Sequence, residues 1–469
     1  MPSKMYYESI LKGHFQSQIL RGPSMKGEPA FYRRLEEVLD IHRQKGGLVI
    51  PKPRWDDSVL DFTTSDFLSL SRSGRIREAF LEELASCGDF RLSASGSRTQ
   101  YGNYDYILEV EREVAEFHNA ETAWICHSGF IANVAVLEAI ALPGDAIVWD
   151  ELSHASTGLG LKVSVAAHNI SFKHNSPDSL RDVLTSLKNS DVAFATGAKS
   201  ILICVESVYS MEGDICPLKE LVAVVKELFP AGNAQFIIDE AHSSGVLGPK
   251  GAGLVQLLGL EKEIAVRIHM CSKALGSTGG VILCNKTVRG ALFQYSRVLT
   301  FSGAPSVPMV ASIRAGYRLL KAGQTQKEQD HIQEIVMYFF QTILADSTWE
   351  DAMDGGLLSV PLAEDWEARP FHSHVVPIKV RTGDEHILFL HLSMANINAY
   401  GVSYPTVPKG TALIRLVFHA HNTRDDVNRL VSVVGKWATE MLEIANGESK
   451  YTMPSAVRHM FSMQAAGWK

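Results

Sequence analysis

The feature that most constrains the fold is a repeated alternation of short apolar β runs and amphipathic helical segments, which begins near Ser93. Such alternation is typical of a parallel sheet covered by helices, because a crossover between parallel strands needs a connection about as long as a helix. The predicted strands are residues 123–126, 146–149, 200–205, 235–238, 267–271 and 280–284. The predicted helices include residues 108–117, 131–140 and 218–228. The pattern predicts a large α/β domain with a mostly parallel sheet.

Three parts are expected along the chain. Residues 1–64 are predicted to form an N-terminal arm that contains a helical start, the stretch RRLEEVLDIHRQKGG and the proline-containing stretch VIPKPRW. Residues 65–315 are predicted to form the large domain. A long helical tract over 309–345, shorter strands and a final helix over 424–445 then predict a small C-terminal α/β domain over 316–469.

Composition excludes several classes of function. The formal net charge is −7, and the sequence contains no block of Lys and Arg of the kind that binds along a nucleic-acid backbone. The longest apolar stretch, 132–142, is interrupted by Asn133 and Glu138 and is too short to span a membrane. The six cysteines form no Cys-x-x-Cys pair, so no metal site is expected. No secretory signal is recognisable at the start, and a cytoplasmic location is expected.

Two predicted strand ends carry residues of complementary chemistry. Asp239 ends the run QFIID, and Lys273 follows the next strand and precedes a glycine-rich turn. A poorly solvated lysine can have a lowered pKa, as an imine-forming amine requires, and a carboxylate can keep a pyridine nitrogen protonated. Either residue alone is more typical of a cap or a loop. Together they predict a site for pyridoxal 5'-phosphate (PLP).

Other motifs supply what such a cofactor needs. Ser128-Gly129-Phe130 directly precedes a predicted helix, whose free N–H groups and positive end suit a phosphate. His154 follows a strand and could stack on the cofactor ring. Glu206 and Ser210 follow another strand, near the expected place of the ring's phenolic oxygen.

Seven motifs in this order resemble those of the α-oxoamine synthases, a family of PLP enzymes, and the nearest members are fungal 8-amino-7-oxononanoate synthase-like proteins. The motifs are SGSR (95–98), HSGFIAN (127–133), DELSHAS (150–156), VESVYSMEGD (205–214), IIDEAHSSGVLGPKGAG (237–253), SKALGSTGG (272–280) and YPTVPKGTALIR (404–415). The resemblance implies the fold-type I, aspartate aminotransferase-like architecture of PLP transferases.

The resemblance also implies a role for individual residues. Lys273 would form the Schiff base, Asp239 would pair with the pyridine nitrogen, and His154 would stack on the ring. Contacts with the phenolic oxygen or the phosphate are implied for His242, Ser210, Glu206, Ser128, Gly129, Phe130, Ser272 and Ser302. Arg415 would bind the carboxylate of the amino acid, to which its planar two-pronged donor geometry is suited.

The resemblance implies a decarboxylative condensation of an amino acid with an acyl thioester. The acyl group would be carried by coenzyme A or by a carrier protein. The reaction would release CO2 and a free thiol and yield an α-amino ketone. The resemblance further implies a homodimer with its active sites at the interface. Nucleic acid and membrane are not expected as partners.

Departures from the family pattern bear on the substrates. Met270 and Gly303 stand where phosphate-binding threonines are usual, which leaves Ser272 and Ser302 as candidates. Ser97, where glycine-using relatives have Thr, leaves room for a larger amino acid, so alanine or serine is expected over glycine. Tyr404 occupies the region where an Arg precedes the P-T-V-P turn, which favours a monocarboxylic or polyketide-like acyl group over pimeloyl.

Four other interpretations arise from the sequence. The same cofactor could serve a transaminase or a retro-aldol enzyme, and pimeloyl-CoA could be the acyl donor of an 8-amino-7-oxononanoate synthase. A catalytically inactive partner subunit is disfavoured by Lys273. A dinucleotide site at GVLGPKGAG is weaker still, because no strand leads directly into those glycines.

Overall fold

The computed structural model describes residues 15–45 and 58–465, together with Gly13 and Leu48. Its strands are β1 Leu60–Asp61, β2 Thr122–Cys126, β3 Ala146–Asp150, β4 His168–Phe172, β5 Ile201–Glu206, β6 Ala234–Asp239, β7 Ile264–Met270, β8 Gly280–Cys284, β9 Leu358–Ser359, β10 Val375–Val380, β11 Ile397–Asn398, β12 Tyr400–Val402 and β13 Leu413–Val417. Seven of them form one sheet in the order β2-β8-β7-β6-β5-β3-β4. Within this sheet β8 is antiparallel to both of its neighbours, and the other pairs are parallel.

Helices connect these strands and cover the sheet. They are α1 Ala30–Gln44, α2 Arg75–Ser86, α3 Asp105–Phe117, α4 Gly129–Ile140, α5 Ala155–Val163, α6 Pro177–Ser190, α7 Val192–Thr196, α8 Leu218–Leu228, α9 Leu254–Leu258, α10 Lys286–Tyr295, α11 Arg297–Thr300, α12 Val307–Lys321, α13 Gln326–Leu344, α14 Ser347–Asp354, α15 Asp384–Met394, α16 Arg424–Asn446 and α17 Ser455–Ala465. Among the described residues, no helix is long and apolar enough to cross a membrane.

The strand sequences explain why the seven-stranded sheet is internal. Every residue of β5 and of β8 is buried, as expected of strands that have helices on both faces. The edge strand β4 instead has the sequence HNISF, in which Phe172 alone is buried. Apolar side chains of β5 and β6 pack against α6 and α8 on one face, and those of β2 and β7 pack against α4 on the other.

The six predicted strands are confirmed with shifts of at most three residues at their ends, and the mostly parallel α/β fold is confirmed. The strand β4 was not predicted from the sequence, because an exposed edge strand shows no apolar run. The predicted helical tract over 309–345 is two helices, α12 and α13. They are separated at Gly323, which adopts a φ of +69° that a helix cannot contain.

The C-terminal part contains an antiparallel sheet in the order β12-β13-β10-β9, which packs against α13 to α16 around one hydrophobic core. Leu60 and Phe62 belong to this core, and β1 pairs with β11, so the chain just after residue 57 packs on the C-terminal part. Most of the stretch RRLEEVLDIHRQKGG lies in α1. Most of the helical start and the whole stretch VIPKPRW lie outside the described residues. The predicted division into an arm and two domains stays a prediction.

Candidate active site

The site is built at the edge of the large sheet where parallel strands end. β5 ends at Glu206 and β6 at Asp239, and these two residues are register partners. Asp239 is buried, and its Oδ1 accepts a hydrogen bond of 2.8 Å from the Ala241 N–H. Its Oδ2 accepts one of 2.7 Å from the Asn133 amide on α4. These two hydrogen bonds hold the carboxylate from two sides. They fix its orientation, as is required of a group that must face a single binding partner.

Lys273 lies in the turn that follows β7. Its Nζ is 2.7 Å from Nε2 of His242. Burial lowers the pKa of Lys273 to about 8, although the carboxylates of Asp239 and Glu206 act in the opposite direction. The positive charge of Arg415 lowers this pKa further. A substantial fraction of the amine is therefore neutral near physiological pH, as a nucleophilic lysine requires.

His242 belongs to a group of aromatic and imidazole rings that was not predicted from the sequence. Phe67 lies with its ring centroid 5.6 Å from that of His242 and 4.1 Å from that of His374. The two imidazoles are stacked at 6.1 Å. Burial lowers the pKa of both histidines well below the usual value, and the positive charges of Lys273 and Arg415 add to this. Both rings are therefore neutral.

His154 lies beside Glu206 on the neighbouring strand end. Its backbone N–H donates to Oε1 of Glu206 at 2.5 Å, and its Nδ1 accepts from the Ser156 N–H at 3.2 Å. Because a backbone N–H can only donate, Nδ1 carries no proton and the ring proton is on Nε2. Phe130 contacts the imidazole edge-on at 6.1 Å. Burial and the charge of Asp239 raise the pKa of Glu206 well above its usual value.

The predicted phosphate site lies at the start of α4. Ser128 caps this helix, with its side chain accepting from the Ile131 N–H at 3.2 Å, and the N–H groups of the first turn lack partners within the helix. A Cβ on Gly129 would collide with the Met270 side chain, so that methionine fills the space against the helix start. Ser272 is exposed beside Lys273.

Arg415 reaches the site from β13 in the C-terminal part. Its Nε donates to the carbonyl oxygen of Ser210 at 2.5 Å. Burial lowers its pKa to about 10, and no carboxylate of the described residues lies within ion-pair distance of it. Burying an unpaired charge is costly, so a guanidinium in this situation suits an anionic ligand.

Ser97 and Ser302 form a separate group. Ser97 forms an isolated antiparallel β-bridge with Gly303, the residue after Ser302. The Oγ of Ser97 is 2.7 Å from Oγ1 of Thr99. The Ser302 hydroxyl donates to Val298 O at 2.5 Å. Within the described part of the chain, no hydrogen bond or ion pair joins this group to Lys273 or Asp239.

Asp61, His419 and His421 lie close enough together to share a metal ion. Existing contacts account for two of them: Nε2 of His419 is 2.9 Å from the carbonyl oxygen of Thr64, and Oδ2 of Asp61 accepts from the Thr64 hydroxyl at 2.6 Å. A metal would have to replace these hydrogen bonds. The network links the segment after β1 to the chain after β13.

The arrangement fits PLP. The carboxylate of Asp239 suits a protonated pyridine nitrogen, the amine of Lys273 suits an aldehyde, and the start of α4 suits a phosphate. Glycine is required beside that helix start, since a Cβ on Gly280 would lie 2.8 Å from the Gly129 nitrogen. His242 also has a buried Nδ1 with no hydrogen-bond partner among the described residues.

Fold and site together define a fold-type I PLP-dependent transferase. The chain belongs to the aminotransferase class I and II family, whose pattern it matches over residues 57–434, and within that family to the α-oxoamine synthases. It is 46% identical to the aminoacyl transferase sphA of Aspergillus fumigatus, covering 96% of each chain. It is 38% identical to the 8-amino-7-oxononanoate synthase of Emericella nidulans, covering 82% of this chain and 90% of that one.

A solved structure supports the same grouping. The 8-amino-7-oxononanoate synthase of Francisella tularensis is 26% identical and superposes with a TM-score of 0.62, over 81% of this chain and 98% of that one. The predicted cofactor and class of enzyme are thereby confirmed: the protein is a PLP-dependent acyltransferase that joins an amino acid to an acyl group.

Proposed function

We propose that the protein condenses alanine or serine with a monocarboxylic acyl thioester, releases CO2 and free thiol, and forms an α-amino ketone. The observation that carries this proposal is the buried guanidinium of Arg415, which faces the Lys273 site without a carboxylate partner among the described residues. The α-carboxylate of an amino acid would supply that partner. The loss of this carboxylate as CO2 is the decarboxylation that the proposed reaction includes.

The contact with Ser210 supports this role for Arg415. The Ser210 carbonyl accepts from Nε, and this bond leaves the two terminal nitrogens of the guanidinium for a bidentate contact. The same bond fixes the plane of the guanidinium, so the carboxylate would be held in one orientation. An amino acid bound in this way would place its α-carbon on the side of Lys273.

When bound, PLP supplies an electron-accepting ring that stabilises negative charge at the α-carbon of the amino acid. Asp239 would hold the pyridine nitrogen in its protonated form, and Asn133 would keep that carboxylate in place. Ser128, Gly129 and Phe130 would hold the phosphate with backbone N–H groups at the start of α4.

Lys273 would hold the cofactor covalently through its Nζ and, as a free amine, would take the α-proton of the amino acid. Its pKa near 8 suits an amine that must both release and accept protons near neutral pH. His242, neutral and 2.7 Å from Nζ, would keep the amine directed at the site and contact the phenolic oxygen together with Ser210. Ser272 would add a hydroxyl at the phosphate.

His154 would lie against the face of the ring. Its Nε2–H is directed by the contact between Nδ1 and Ser156, and Glu206 fixes the backbone behind it. An imidazole held in this way excludes water from one face and leaves one N–H to donate to a bound carboxylate or carbonyl oxygen.

We further propose a homodimer whose active sites are shared between subunits. Ser97 and Ser302 lie together on a surface where Tyr101 and Phe301 are 84% and 85% exposed. A second copy that covers these aromatic rings would carry both serines to the Lys273 site of its partner. Ser302 would then contact the phosphate, and Ser97 would leave room for a side chain larger than that of glycine.

The acyl preference is supported by Tyr404, and one observation favours the alternative. Tyr404 is exposed in the region where the family resemblance implies an Arg that could meet the distal carboxylate of pimeloyl, but the ammonium of Lys409 lies 5.1 Å from the centre of the Tyr404 ring. That ammonium could meet such a carboxylate. The relative from Emericella nidulans is named for 8-amino-7-oxononanoate synthesis, so pimeloyl-CoA remains the second candidate.

The decisive experiment measures free thiol with alanine, serine and glycine, each paired with pimeloyl-CoA and with a saturated acyl-CoA of matched length. We expect release to require both substrates and kcat/KM to be highest with alanine or serine and the saturated chain. Arg415→Lys should raise the KM for the amino acid, while Arg381→Lys on the surface should not. Thiol release without an amino acid, or amino transfer to a keto acid, would contradict the proposal.

A further inference from the structure

His174 lies between two carboxylates at the edge of the large sheet. It follows β4, and its Nδ1 is 2.8 Å from Oδ1 of Asp150 while its Nε2 is 2.7 Å from Oδ2 of Asp214. The Asn175 amide donates to the same Asp214 oxygen at 2.8 Å. We call His174, Asp150 and Asp214 the His174 clamp. None of the chemistry described above uses it.

The clamp requires a protonated imidazole. A carboxylate can only accept, so a ring with a carboxylate at each nitrogen must donate from both. Burial lowers the pKa of His174, but its hydrogen bonds with Asp150 and Asp214 outweigh this and raise the pKa to about 10. The Asp150 side chain is fully buried and Asp214 is 31% exposed. The ring is therefore a permanent cation near neutral pH, in a place where water screens it little.

The two carboxylates belong to different active-site loops. Asp150 ends β3, and the turn after it leads directly to His154. Asp214 ends the loop that starts at Glu206 and carries Ser210, which we call the Ser210 loop. This loop is tight, because the Tyr209 N–H donates to Asp214 O at 3.1 Å. The Tyr209 ring also contacts the His174 ring edge-on at 4.4 Å.

The second of these loops packs against β10, the strand that pairs with the Arg415 strand β13. A Cβ on Gly213 would collide with the carbonyl oxygen of Val375 on β10. β10 pairs with β13, and Pro377 is the register partner of Arg415. The carbonyl of Ser210, three residues before Gly213, accepts from Arg415 Nε. The position of this loop therefore sets the position of the guanidinium.

We propose that His174 is a positioning residue for amino-acid binding: by joining Asp150 to Asp214, it holds the Ser210 loop so that the carbonyl of Ser210 orients Arg415. The inference rests on the proposed function, since it takes Arg415 to bind the α-carboxylate. His174 itself lies outside the contacts that would hold cofactor or substrate, and acts through the two loops.

The test compares His174→Asn and Asp214→Asn holoenzymes with Lys173→Ala. Lys173 forms a surface ion pair with Glu151 next to the clamp, so its variant controls for loss of a neighbouring charge contact. For each protein we would titrate the amino acid against the absorbance of the bound cofactor, measure KM for both substrates and record thermal unfolding. Asp214→Asn preserves shape, which keeps the test valid if the histidine variant does not fold.

We expect both clamp variants to weaken amino-acid binding roughly tenfold, while the KM of the acyl thioester changes less than about twofold. Lys173→Ala should match the unchanged protein. Three results would overturn the proposal. Equal loss of affinity for both substrates, or failure of both clamp variants to fold, would mean that His174 has only a structural role. Unaltered amino-acid binding would mean that His174 has no role in binding. If the unchanged protein binds no amino acid at all, the proposed function itself fails, which is a different result.

Discussion

The side-chain amide of Asn133 donates a hydrogen bond of 2.7 Å to Oδ2 of Asp239, and both side chains are buried. Asn133 stands on α4, a helix whose other buried residues are nonpolar, and Asp239 ends β6. The bond joins the element that would hold the phosphate to the residue that would hold the pyridine nitrogen. Two ends of the cofactor site are therefore fixed relative to each other by one amide.

Asn133→Ala should impair proton removal without releasing the cofactor. A hydrogen bond to a charged group contributes about 1.5–3 kcal/mol, so the rate of α-proton exchange should fall about 10- to 160-fold. Exchange of the amino acid's α-proton in D2O, followed by NMR, measures this rate. Asn428→Ala, an exposed asparagine on α16, is the control. An unchanged exchange rate would show that Asp239 needs no such support.

Asp239→Asn should leave PLP bound yet slow α-proton exchange at least about 100-fold, because an amide does not keep the pyridine nitrogen protonated. The substitution preserves shape, and the Ala241 and Asn133 contacts show that the side chain is firmly held. Cofactor retention is read from the visible absorbance and exchange from NMR. A variant that exchanges the proton at the normal rate would remove Asp239 from this role.

Covalent attachment of PLP should depend on pH through Lys273. Burial lowers the pKa of this amine to about 8, and the amine reacts only when deprotonated. The attachment rate of the cofactor-free protein should therefore rise about tenfold per unit below pH 8 and level off above it. Stopped-flow absorbance between pH 6 and 9.5 gives this profile, and borohydride reduction followed by mass spectrometry should find the label on Lys273. A rate still rising steeply at pH 9.5 would mean an unshifted lysine.

Met270→Thr should tighten PLP binding. The methionine packs against the helix start at Gly129, and a threonine hydroxyl there could donate to the phosphate. A net gain of about 1 kcal/mol per hydrogen bond corresponds to a dissociation constant about fivefold lower. Met270→Val has the shape of the threonine variant without its hydroxyl and should show no gain. Equal affinities of the two variants, measured by equilibrium dialysis, would mean that the phosphate lies elsewhere.

The sequence by itself determined the chemistry of the strand ends and the fold class. The segments ILICV of β5 and FII of β6 are apolar throughout, and burial on both faces requires such runs, so the positions of these strands could be predicted to within a few residues. Asp239 was visible as the acidic residue that ends such a run, and Lys273 as the lysine that follows the next strand. The edge strand β4 was missed because its exposed side chains remove that signal.

Only the tertiary structure decided which residues meet. Asn133 and Asp239 are 106 residues apart, and Ser210 and Arg415 are 205 apart. His174 follows the edge strand that the sequence did not predict, yet it joins the ends of two active-site loops. Periodicity reports the local environment of a residue, whereas these contacts depend on strand order and on the packing of two sheets. That is why the polar residues could be found from the sequence, and their partners could not.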